Sequence, residues 1–159
     1  MAGRPEIWYD DLVTGQCHHS PRALVVGADD IVAFARQFDP QPQHLDPVAA
    51  QRGLFGGLVA SGWHTAALTM RLLTETLPLA ESVGAGLELA WPTPTKPGDQ
   101  LSLELTVVSK RLSRTKPDRG LVELAYDTLD QSGQVRQRTR ATVVMLLRPG
   151  LRLAGENHG

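Results

Sequence analysis

Charge of either sign is missing from the middle of this chain. Gly53 to Met70, GLFGGLVASGWHTAALTM, holds no Asp, Glu, Lys or Arg. Other absences bound the reading. The single cysteine in 159 residues, Cys17, excludes an internal disulfide and leads us to expect a reducing, cytoplasmic setting. A net charge of -1 gives no electrostatic reason to expect nucleic acid as the partner. The opening MAGRPEIWYDD lacks the long apolar run of a signal peptide, and none is expected. Gly53–Met70 is short for a membrane span, contains four glycines and a histidine, and runs straight into Arg71. No membrane association is expected. No GxSxG, P-loop or GxGxxG occurs, and no HxxxH or Cys/His cluster suggests a metal.

The uncharged stretch predicts the main helix. Leu58, Val59, Trp63, Ala66, Ala67, Leu68, Met70, Leu72, Leu73 and Leu77 leave almost no polar face, and such a helix is buried. Pro78 ends it. Before it, Ser20–Val26 reads as a strand. Ile31, Phe34, Ala35 and Phe38 fall at helical spacing behind Asp29 and Asp30, acidic residues suited to a first turn. Asp39–Pro47, DPQPQHLDP, carries three prolines in nine residues, which forbids a long helix or a central strand. A short helix is expected from Pro47 to about Arg52.

After Pro78 the pattern alternates. Strands are expected over Gly84–Trp91, Leu101–Val107, Gly120–Leu129 and Val135–Leu147. Pro97-Gly98-Asp99 and Asp130–Gly133 are expected turns. One buried helix followed by several strands predicts an α+β domain, a sheet around a helix, over residues 1–150. A flexible tail is expected over 151–159.

The chemistry-bearing residues cluster before the helix. Asp39 and His44 sit five apart on a proline-stiffened loop, where a carboxylate and an imidazole could be preorganised as an acid–base pair. Their other reading is a turn cap and an ordinary loop histidine. Gly62 costs helix stability relative to alanine. Its N–H could be a free donor of the first turn, suited to a polarised oxygen. Its other reading is close backbone packing. His64 faces either this site or the core. Lys110, Arg111, Arg114, Lys116 and Arg119 form a basic loop that either meets phosphate or is simply solvated. Arg136, Arg138 and Arg140 share a strand face and could discourage stray strand pairing.

FARQFDPQPQHLDPVAA, FGGLVASGWHTAALTMRLL and PTPTKPGDQLSLELTVV together resemble the MaoC-like dehydratases, relatives of the (R)-specific enoyl-CoA hydratases. The resemblance spans Ile7 to Leu147. It implies a single hotdog domain, a long central helix wrapped by an antiparallel β-sheet, assembled as a homodimer or higher homo-oligomer with acyl-CoA near the subunit interface. By position it makes Asp39 and His44 catalytic and Gly62 N–H the donor to the thioester carbonyl. Gln41 stands where the family has asparagine, and Ser61 where it often has histidine. Gln41, Ser61, Trp63 and His64 are then orienting or pocket residues, and Lys110, Arg111, Arg114 and Lys116 are candidates for CoA phosphate contacts. The implied reaction is reversible addition of water to a trans-2-enoyl-CoA, with no metal and no cofactor beyond the CoA of the substrate. Two other readings fit the same residues: an acyl-CoA thioesterase, and a non-catalytic acyl-thioester-binding protein.

Overall fold

The computed structural model describes residues 6–150. The expected tail, 151–159, lies outside them. Strands β1 (Cys17–His19) and β2 (Leu24–Val25) precede four short-to-long helices. These are α1 (Ala28–Phe38), α2 (Pro42–Leu45), α3 (Pro47–Ala50) and α4 (Gly62–Thr76). Strands β3 (Ser82–Ala90), β4 (Gln100–Leu112), β5 (Arg119–Leu129) and β6 (Val135–Leu146) complete the chain.

The sheet runs β1-β4-β5-β6-β3, with β2 also pairing β4, and every strand pair within it is antiparallel. Alternation in β4 works as expected: Leu101, Leu103, Leu105 and Val107 are buried. They meet Leu72 of α4 and Leu77 just past its end, with Ile31, Leu124 and Met145, in one core.

Three expectations change. Leu58 and Val59 are buried but lie in extended chain before α4, which starts only at Gly62 behind a Ser61 cap. The predicted strand Ser20–Val26 shrinks to Leu24–Val25, while Cys17–His19, just before it, pair with β4. A strand of three residues is too short to show alternation. Finally, α4 is not covered on all sides by its own chain. It packs over β4 and β6, and β3 lies at the sheet edge beyond it. Trp63 and Met70 of α4, and Val83 and Leu87 of β3, are at least half exposed.

The opposite flank of α4 meets α1. His64 is buried there, its ring stacked on Phe34 at 4.8 Å and 9°. Nδ1 has no hydrogen-bond partner among the described residues. Burial pushes the imidazole pKa below its ordinary value, against a weaker upward pull from Asp30. The unfolded chain therefore takes up this proton first as pH falls, so the neutral ring's contribution is lost from about pH 6.5 downward. His64→Phe is expected to flatten that loss, read as a smaller drop in urea midpoint between pH 7 and pH 5.5 than in the wild type.

Candidate active site

Proline positions the loop that carries Asp39 and His44. A residue before proline is pushed out of the α region. Asp39 precedes Pro40 and becomes the last cap of α1, at φ -153°, ψ 70°. Gln41 precedes Pro42 and Asp46 precedes Pro47, and both are extended. Pro42 and Pro47 then occupy first-turn positions, where a missing N–H costs nothing. The segment expected to be irregular thus contains a single extra turn of helix, α2, which carries His44. Asp46 accepts from Val48 N at 2.9 Å and Ala49 N at 3.2 Å, starting α3.

These turns aim Asp39 and His44 at each other. His44 Nε2 stands 3.4 Å from Asp39 Oδ2. On the far side of the buried ring, Nδ1 lies 2.7 Å from the Val59 carbonyl oxygen. A carbonyl only accepts, so Nδ1 carries the proton and Nε2 of the neutral ring is an acceptor. Asp39 is held from both sides. Gln41 Nε2 donates to Oδ1 at 2.6 Å and Ser61 Oγ donates to Oδ2 at 2.7 Å. The Gln41 amide first, and then the Ser61 hydroxyl, hold the Asp39 carboxyl below the usual carboxylate range. Gln43 Nε2 supports Gln41 Oε1 at 3.1 Å.

Ser61 also accepts from Trp63 N at 3.2 Å, capping α4. Gly62 is the first residue of that helix. Its N–H meets no acceptor among the described residues, and the helix dipole adds positive potential there. Gly62 has no room for a side chain: a Cβ would stand 2.7 Å from Cε2 of Trp91. Close packing and a free donor therefore coincide at this glycine.

A cavity of about 400 Å³ joins these groups; Asp39, Gln41, His44, Gly62 and Trp63 all line it. Gln43, Phe55, Val59, Ala60, Thr65, Trp91, the Pro92–Thr95 loop and Arg136 complete the wall. Ser61 reaches the site through Asp39. His64 is turned away toward Phe34 and is not part of the wall. The basic loop is not brought to the cavity within one chain. Lys110, near the far end of β4, donates to the Tyr9 carbonyl at 3.1 Å, with its ammonium 4.5 Å from the Tyr9 ring centre. Arg111 and Leu112 end that strand, and Arg114 and Lys116 follow. Thirteen residues of β4 separate that loop from the cavity-side end, a path on the order of 40 Å.

Arg136 was not singled out for this site. Its guanidinium is buried, with NH2 donating to Asp99 Oδ1 at 3.2 Å and Asp130 Oδ2 at 2.9 Å. Nε lies 2.9 Å from Asp99 Oδ2 without an aligned N–H bond. NH1 donates to Thr93 Oγ1 at 3.1 Å and so ties down the Pro92–Thr95 wall. The signal in the sequence was an arginine a few residues past an Asp-containing turn, with Asp99 of a second turn as partner.

An antiparallel sheet packed on one long helix, with a carboxylate, an imidazole and a helix N-terminus meeting in one cavity, is a hotdog-fold arrangement. The chain belongs to the MaoC-like family, related to the (R)-specific enoyl-CoA hydratases; residues 13–126 match the MaoC like domain. A MaoC-like dehydratase of Rhodospirillum rubrum of known structure is 54% identical, with a TM-score of 0.86, over 90% of this chain and 99% of that one. The (R)-specific enoyl-CoA hydratase of Aeromonas caviae is 30% identical over 74% of this chain and 84% of its own length. The uncharacterized protein YdeM of Bacillus subtilis is 33% identical over 77% and 86%. No described helix is long and apolar enough to cross a membrane, and no group of three or more potential metal ligands occurs among the described residues.

Proposed function

We propose that this protein is a cytoplasmic enoyl-CoA hydratase that adds water reversibly to a trans-2-enoyl-CoA thioester. The supporting observation is the convergence of Asp39, His44 and the Gly62 N–H on one cavity. Asp39 Oδ2 and His44 Nε2 are both acceptors, 3.4 Å apart. A water donating one hydrogen to each would turn its lone pairs toward the substrate. Asp39 takes one proton as the oxygen bonds to the β-carbon. The alkene electrons move toward the thioester oxygen, where the Gly62 N–H stabilises the developing charge. The removed proton returns to the α-carbon with His44 as relay, so water is added with no net proton gained or lost.

Incubation with crotonyl-CoA tests the reading. Loss of the enoyl absorbance without free thiol is the expected result. Thiol release without hydration would instead mean a thioesterase, and binding without either would mean a non-catalytic acyl-thioester protein. Ser61→Ala tests the arrangement more finely. Asp39 loses one of its two donors, so the acid limb of the kcat/KM profile is expected to move to higher pH. The lost cap of α4 should cost about 1 kcal/mol of stability.

The assembly belongs to the same proposal. The exposed apolar side chains of α4 and of edge strand β3 are supported best as the contact with a second copy, giving a homodimer or a higher homo-oligomer. Sedimentation should show at least a dimer, and Leu87→Asp should shift it toward monomer.

A further inference from the structure

Asp39 is held by an amide that is itself held. Gln41 is exposed and sits at the N-cap of α2, yet its side chain makes no cap bond. A shorter polar side chain at such a position bonds to the N–H groups of its own helix. Glutamine instead turns back, and Nε2 donates to Asp39 Oδ1 at 2.6 Å. Fixing a long exposed side chain in one rotamer costs entropy, so a second contact is needed to keep this geometry.

Gln43 supplies that contact. Its Nε2 donates to Gln41 Oε1 at 3.1 Å. Turning the Gln41 amide over would face oxygen to carboxylate at one end and N–H to N–H at the other. Gln43 is anchored in turn. It belongs to α2 with His44, and its carbonyl accepts from Val59 N at 3.1 Å. The Val59 carbonyl is the group that takes the His44 Nδ1–H. One turn of helix therefore carries the supports of both groups, Asp39 through two side chains and His44 through the main chain of Val59. His44 and Arg136 are the other ionisable side chains lining this cavity. His44 faces Asp39 at 3.4 Å, and Arg136 is engaged by Asp99 and Asp130. A neutral substitution at Gln43 leaves both charges as they are.

We propose that Gln43 is a positioning residue, acting through Gln41 to keep the Asp39 carboxylate facing the water it would share with His44. This rests on the reading of Asp39 as the base, and it deepens that reading by naming what holds the base in place.

The test is a double-mutant cycle of Gln43→Leu and Gln41→Leu with two readouts. One is the pH profile of crotonyl-CoA hydration. The other is the Asp39 carboxyl titration, followed by carbon-13 NMR in the free protein. Gln43→Leu is expected to lower kcat about 5-fold with KM within about 2-fold of wild type, the scale of one modest hydrogen bond. The Asp39 midpoint and the acid limb of kcat/KM should rise together by about 0.5 pH unit, because the charged carboxylate is less firmly bonded. In the Gln41→Leu background the same substitution should change neither readout, since Gln43 then has nothing to act through. An effect that persists in that background, or an Asp39 titration that Gln43→Leu leaves unmoved, overturns the proposal. If the wild type hydrates nothing while the Asp39 titration follows the cycle, the hydratase reading falls and the positioning role stands. Should Gln43→Leu not fold, Gln43→Met removes the same donor, keeps the length of the side chain and carries the same expectations.

Discussion

Asp39→Asn should lower kcat for crotonyl-CoA hydration by roughly 10³-fold while leaving the folded protein intact. The amide still accepts a hydrogen bond from Ser61 or Gln41, but it cannot take a proton from water. It also presents an N–H₂ where the ring of His44 and the bound water need an acceptor. The side chain is partly exposed, so the stability change should stay below about 1 kcal/mol. His44→Gln should lose activity to a similar degree. It should also cost about 1 kcal/mol more stability, because the Val59 carbonyl loses its donor. In the proposed mechanism the two groups share one water, so the double variant should be scarcely worse than either single one. Wild-type hydration rates in both single variants would remove this pair from the mechanism.

Arg136→Met should produce the largest loss of stability, about 3 kcal/mol. The cost comes less from losing attraction than from leaving two carboxylates buried without their cation. Asp130 keeps its strongest support, the Ser132 hydroxyl at 2.7 Å and backbone donors from Ser132 and Gln134. Asp99 keeps only the Lys96 N–H at 2.8 Å, so it should carry more of the penalty. The sign with pH follows. An unpaired buried carboxylate binds its proton more tightly when folded than when unfolded, which contributes stability at low pH and loses it as pH rises. The deficit relative to wild type, read from urea midpoints, should therefore be larger at pH 8 than at pH 5. Adding Asp99→Asn and Asp130→Asn should recover part of it, since a neutral cluster leaves no stranded charge. A deficit that ignores pH would mean that packing, not charge, is what Arg136 supplies.

The acid–base loop was legible because its geometry is local. Proline dictates the backbone at Asp39, Gln41 and Asp46, and each of those effects is visible in the neighbouring residue. What placed Arg136 is not local. Leu129 pairs with Val135 and Thr128 with Gln137, so Arg136 is the extra residue of a bulge. Arg136 and Gln137 are therefore both buried, whereas Arg138 and Arg140 stay exposed. Strict alternation had put the three arginines on one outer face. His64 shows the same limit on a helix: its position two residues past Gly62 is clear in sequence, but the direction it faces depends on where α1 packs. The apolar helix was read correctly as a helix that needs cover. That its own chain leaves part of it uncovered became visible only once β3 was seen at the sheet edge.

The first residue of α4 bears on how this family can change over time. The proposed carbonyl donor at Gly62 belongs to the main chain, so its existence depends on where a helix begins and not on which side chain is encoded. On the proposed mechanism, codon changes at Asp39 or His44 would silence proton transfer in one step. Substitutions around Gly62 mostly leave the donor in place, and the indole of Trp91 guards the glycine itself against enlargement. On the proposed mechanism, a lineage that lost hydration would therefore keep the main-chain donor to a thioester, which makes a silent binder a short evolutionary step away.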